Sequence, residues 1–213
     1  MVRLMDIGLE RLKNIIVEMG EYSAKTVFLA IDSYLNEQDL MEQLYISAQE
    51  IRRIQEEVNE LAVEIIARYQ PVASDLRFLK SCIEIGYGFS RFGRYAFDIA
   101  QVLRIFGKLT SCNKEAVDNA GKHVKDMIKT SIEAFIEKNI EKAKKVKEMD
   151  TYIDKIYLNS LKKAAQMKEN QIKCIVSEVL ILRYLERIAD HATYIADSTI
   201  YIVTGEKIPK YTL

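Results

Sequence analysis

A repeat constrains this chain more than any other feature. The stretch Leu185-Glu186-Arg187-Ile188-Ala189-Asp190-His191-Ala192-Thr193-Tyr194-Ile195-Ala196 has a worn counterpart 96 residues earlier, running from Phe89 to Ala100. The copies share Arg91/Arg187, Ala96/Ala192, Ile99/Ile195 and Ala100/Ala196. One structural unit is therefore used twice, and whatever this chain folds into must be divisible into two related parts. The copies differ most where chemistry would sit. The second carries Glu186 and Asp190, four apart on one helical face, where the first has Ser90 and Arg94.

The unit is helical. Leu12, Ile16, Met19, Ser23, Thr26 and Ala30 alternate steps of four and three, the seam of a packed helix. This predicts a first helix over about residues 5–35. Polar Asn36-Glu37-Gln38-Asp39 supplies the turn into a second, which Pro71 ends near Gln70 by excluding the α region for the residue before it. Ser74 is the expected N-cap of a third helix reaching about Phe106, with Asp75 in its first turn and Gly107 as its stop. The plan repeats over about 114–138, 140–168 and 171–203, with Asn170 as a cap and Gly205 past the last end. The expected fold is all-α: two tandem three-helix bundles, residues 1–108 and 109–213, each one copy of the repeat.

Of the 213 residues, 49% are hydrophobic, enough for a sizeable core. Lysine plus arginine and aspartate plus glutamate balance at 31 each, which argues against a nucleic-acid partner. Lys142-Ala143-Lys144-Lys145-Val146-Lys147 reads as a solvated helix face. No apolar run approaches the roughly 20 residues that span a bilayer, so membrane insertion is not expected. The opening residues Met1, Arg3 and Asp6 lie in an amphipathic pattern rather than a signal peptide. Cys82, Cys112 and Cys174 are odd in number and widely spaced. They read as free thiols in a reducing compartment, not as a disulfide framework or a zinc site.

The candidate chemistry is acidic. The fifth helix carries Asp150 and Asp154, the sixth Glu186 and Asp190. In an antiparallel hairpin, residues equally far from the turn lie side by side. Asp154 and Glu186 are each 16 residues from Asn170, and Asp150 and Asp190 each 20. Four carboxylates thus converge in two rungs. They repel unless they take up protons or bind a cation. Carboxylates on facing helices hold iron or manganese in several bundles, and hard oxygen ligands also suit Mg²⁺ or Ca²⁺. The expected cofactor is a divalent or iron-type cation. A solvated acidic stripe is the alternative.

The same arithmetic about Pro71 brings together Arg52 with Ser90 and Ala48 with Arg94 in the first half. That face has lost every acid and gained two guanidiniums, which cannot ligate a metal. Arg52 and Arg94 are expected to pair with Glu50, Glu56 or Glu84, or else to accept an anion such as phosphate. His191 is expected to be solvated and His123 to have no partner in its helix. Tyr157, three residues after Asp154, reads as ordinary half-buried packing. No phosphate loop and no nucleophile with an adjacent base is found, so no catalytic residue is assigned.

Gln70-Pro71-Val72-Ala73-Ser74-Asp75-Leu76-Arg77, Asp150-x-x-Ile153-Asp154 and the Leu185–Ala196 motif resemble the signatures of the PhoU family of phosphate-transport regulators, across nearly the whole chain. The resemblance implies six helices in two bundles, a homodimer, a cytoplasmic location, and a metal face carried over to Asp150, Asp154, Glu186 and Asp190. The first-half face departs from the family pattern at every acidic position. It implies as partner the ATPase subunit of a phosphate ABC transporter or a phosphate-signalling protein. The expected function is a non-enzymatic regulator of phosphate uptake. A helical-bundle metalloenzyme, oxidase or phosphohydrolase, is the alternative use of the same carboxylates, and a scaffold without metal is a third.

Overall fold

A computed structural model of the chain describes residues 3–166 and 172–206. Six helices follow one another: α1 Leu4–Asn36, α2 Met41–Tyr69, α3 Ala73–Phe106, α4 Glu115–Glu137, α5 Ile140–Ala164 and α6 Ile172–Thr204. No strand occurs among the described residues. The seam read from the sequence of α1 is wholly buried.

The ends are set by local chemistry. The Arg3 backbone N–H donates to Asp6 at 3.2 Å as α1 begins. Glu37 ends that helix in the left-handed region, φ 56°, and Gln38 N–H then reaches back to the Ser33 carbonyl at 2.9 Å. Gln70 ends α2 in the same way, φ 48°, immediately before Pro71. At α3 the expected cap is corrected. The N-cap is Val72 and not Ser74: the chain turns sharply at Ala73, φ 49°, and the helix starts two residues earlier than expected. Asp75 does lie in the first turn. Asn139 caps α5, its Oδ1 accepting from Lys142 N–H at 3.1 Å. Asn170 lies outside the described residues.

Helices α1, α2 and α3 pack on one another, as do α4, α5 and α6. The halves meet where α3 lies against α6 and α1 against α4, and one apolar core runs through both. Gly88 permits the first of these contacts, since a Cβ there would stand 2.9 Å from Ile195 Cγ1. Between the halves, Lys114 Nζ binds Glu37 Oε1 at 2.7 Å and the Leu35 carbonyl at 3.0 Å, pinning the linker to the end of α1.

The cysteine reading is overturned. Cys112 in the linker and Cys174 in the first turn of α6 form a disulfide, with Cα atoms 5.3 Å apart. Their 62-residue separation hides a juxtaposition made by the linker folding back on α6. Only Cys82 is free. It is buried in α3, and burial pushes its thiol far above the ordinary range.

Candidate functional site

Two faces, one per half, occupy equivalent places on the hairpins α5–α6 and α2–α3. On the first of these, two contacts bracket the acidic positions. Toward the turn, Ser160 Oγ donates to Glu178 Oε1 at 2.7 Å; away from it, Lys147 Nζ pairs with Asp197 Oδ1 at 2.9 Å. Asp154, Glu186, Asp150 and Asp190 lie between these two cross-helix bonds.

Their electrostatics register the convergence. Asp150 is pushed up to about 7, first by burial and then by Asp154, Asp190 and Glu186. Its Oδ1 is buried and has no hydrogen-bond partner among the described residues. Glu186 is raised by burial and by Asp190, against the pull of Arg183 and Arg187. Asp190 is raised chiefly by burial and further by Asp154, with Arg187 opposing. The arginines are the counterions in this arrangement. Arg183 Nη1 donates to both Glu186 oxygens, at 2.7 and 2.8 Å, while lying 5.5 Å from the Tyr157 ring centre. Arg187 Nη1 reaches Asp190 Oδ2 at 3.3 Å. Among the described residues, no three His, Cys, Asp or Glu side chains stand close enough to hold one metal ion as arranged. Sequence reasoning missed Arg183, although its spacing of three before Glu186 was a signal for a helical ion pair.

The equivalent face of the first half is a cleft of about 410 Å³ between α2 and α3. Ala48, Arg52, Ser90 and Arg94 all line it. Gly93 lets the helices approach, since a Cβ there would be 2.8 Å from Ile51 Cδ1 and 3.3 Å from Ala48 Cα. Arg52 does pair with Glu56, at 3.5 Å. Arg94 instead engages Asp98, one turn on, through Nε and Nη2 at 3.1 Å each. Asp98 was not among the acids expected for it, which were Glu50, Glu56 and Glu84. Asp98 is nearly buried, and burial raises its carboxyl despite Arg94.

Both histidine expectations need correction. His191 is half-buried against the rings of Tyr87 and Tyr95, centroids 5.8 and 5.9 Å away, and burial pulls it down to about 4. The α3–α6 contact covers a side chain that the helix alone would expose. His123 has a partner in its own helix, Nδ1 lying 2.9 Å from the Asn119 carbonyl, and it stacks on Tyr152 at 4.0 Å.

The PhoU domain family matches the chain twice, over residues 16–103 and 117–199. A phosphate-specific transport system accessory protein PhoU homolog of Clostridium acetobutylicum is 29% identical over 212 residues, covering 97% of each chain. The PhoU homolog 1 of Methanothermobacter thermautotrophicus is 30% identical over 209 residues, covering 93% of this chain and 94% of that one. The crystal structure of PhoU from Pseudomonas aeruginosa superposes with a TM-score of 0.88 at 28% identity, covering 94% and 99%. No described helix is long and apolar enough to cross a membrane.

Proposed function

Since the chain belongs to the PhoU family, we propose that it is a non-enzymatic regulator of phosphate uptake, restraining a phosphate transporter when phosphate is plentiful. The observation that carries this reading is the family match in both halves, together with relatives named as accessory proteins of phosphate-specific transport. Its partner is the ATPase subunit of a phosphate ABC transporter or a phosphate-signalling protein, which it meets in the cytoplasm as a homodimer. Deleting the gene should raise uptake of labelled phosphate by phosphate-replete cells, and restoring the full chain should reverse this. Unchanged uptake would overturn the reading.

The family also implies a metal. The chemistry of the donor set suits one, with four hard oxygen ligands, three of them with raised affinity for protons, and one oxygen buried without a partner among the described residues; as arranged no three of the acids stand close enough to share an ion, so their side chains would have to turn inward on it. Asp150, Asp154, Glu186 and Asp190 would hold the cation, which would supply the positive charge the cluster lacks. Arg183 and Arg187 would have to give up Glu186 and Asp190. Replacing Asp154→Asn together with Glu186→Gln removes charge while nearly keeping shape. Elemental analysis of the purified chain should show metal in the parent and little in the double variant. Equal metal content in the two would refute the assignment.

A further inference from the structure

The two equivalent faces are left with opposite deficits. Among the described residues, a buried acceptor on α5–α6, Asp150 Oδ1, has no donor, and a buried donor on the α2–α3 side, Arg91 Nε, has no acceptor. We propose that the α2–α3 cleft binds a phosphate-type oxyanion, held by Arg52, Arg91 and Ser90 in the field of Arg94. The inference stands on the cleft and not on the regulatory reading.

Three guanidiniums and no carboxylate line the cleft. Internal pairing accounts for them unequally. Arg94 is committed to nearly buried Asp98 by two bonds. Arg52 and Glu56 are both well exposed and touch once, at 3.5 Å, and an exposed pair of this kind contributes little and yields readily. Among the described residues Arg91 makes no direct ion pair with a carboxylate; Asp98, already bonded to Arg94, acts on it only through its field. Arg91 Nη2 donates to the Tyr95 hydroxyl at 2.9 Å and its guanidinium lies 4.8 Å from that ring's centre. The phenol and ring orient the fork and supply no negative charge. Counting the two acids that do pair, Glu56 and Asp98, the three arginines still leave a net positive charge.

A tetrahedral oxyanion answers each deficit. Its several acceptor oxygens suit a guanidinium fork, and charge-assisted bonds of this type are roughly twice as strong as neutral ones. It would meet the Arg91 fork from the cleft wall, and Nε, buried in the present arrangement, would gain an acceptor once the guanidinium turned toward the anion. Ser90, whose hydroxyl now donates to the Tyr87 carbonyl at 2.8 Å, supplies a further hydroxyl at the same wall. Free phosphate and small phosphate esters present the same three or four oxygens to such a site.

Calorimetric titration of the full chain, stripped of metal with a chelator, distinguishes the outcomes. Inorganic phosphate and glycerol phosphate are titrated separately in a buffer without other oxyanions. Saturable binding of one equivalent per chain is expected, competed by sulfate. Arg52→Gln and Arg91→Gln should each weaken it at least tenfold, and Asp154→Asn with Glu186→Gln should leave it unchanged. Binding of inorganic phosphate alone identifies the free ion; tighter binding of the ester identifies a phosphorylated small molecule. Failure of both ligands to bind at up to about 10 mM overturns the proposal, as does binding that survives both arginine substitutions. Should Arg91→Gln fail to fold, exposed Arg52→Gln decides the matter. A negative result here would leave the uptake phenotype of the deletion untouched, so the two readings fail separately.

Discussion

Asp150 concentrates the cost of the acidic face in a single side chain. Its ordinary carboxyl value of 3.8 rises to about 7 in the folded chain, through burial first and its three acidic neighbours second. Below 3.8 the group is protonated whether the chain is folded or not, and it takes nothing from stability. As pH rises from there toward 7, the unfolded chain releases the proton while the folded chain keeps it. Stability therefore falls through that window, on the order of 2 kcal/mol, and the loss is complete above about 7. Asp150→Asn should remove this dependence. In metal-free urea unfolding, the variant should match the parent near pH 4 and exceed it near pH 8. Parallel stability curves for the two proteins would contradict the account. A bound cation should raise the parent at the higher pH and affect the variant less.

Among the elements, the α2–α3 pair shows how close approach is arranged. Gly93 is helical, so alanine would improve helix propensity by up to about 1 kcal/mol. The added Cβ would meet Ile51 Cδ1 at 2.8 Å and the Ala48 backbone at 3.3 Å. The first can rotate away but the second belongs to the opposing helix itself. Gly93→Ala should therefore destabilise by about 1–2 kcal/mol net, measured as a lower urea midpoint. It should also alter oxyanion binding in the cleft, since Ala48 lines it. An unchanged midpoint would mean the two helices separate freely. The α5–α6 hairpin was legible because two helices of equal rise, joined by a short turn, face each other at equal distances from it. Ser160–Glu178 and Lys147–Asp197 follow that register to within about one turn, lying 10 and 8, and 23 and 27, residues from position 170. The arginine counterions were missed for a different reason. Arg183–Glu186 and Arg94–Asp98 are local spacings that many helical positions satisfy, and only burial distinguishes these from the rest.

For the whole molecule, the Cys112–Cys174 bond ties the linker between the halves to the start of α6. A closed loop spanning 62 residues restricts the unfolded chain by about 4 kcal/mol on the chain-entropy account. Cys112→Ser should lower stability by up to that amount, and a thiol reductant should do the same to the parent but nothing further to the variant. Equal unfolding curves in oxidised and reduced parent would show that native packing already holds the linker. Lys114 with Glu37 gives that outcome a physical basis. In the cytoplasm proposed for this chain, the bond would face thiol-reducing pools.

Six helices, their approximate ends and the pairing of two acidic motifs all follow from relations within a few turns of one chain. Side chains at i, i+3 and i+4 share a face whatever surrounds the helix, and a proline disfavours the α region for the residue before it whatever packs opposite. The buried seam of α1 and the break at Pro71 are of this kind. The disulfide, the aromatic burial of His191 and the unpartnered Arg91 Nε are not. Each depends on which helix or linker lies opposite, and so on how α3 meets α6 and how residues 107–114 fold back. Sequence spacing carries no distance across such contacts. Burial there is a property of two surfaces at once, and it is burial that gives Asp150 and His191 their altered proton affinities.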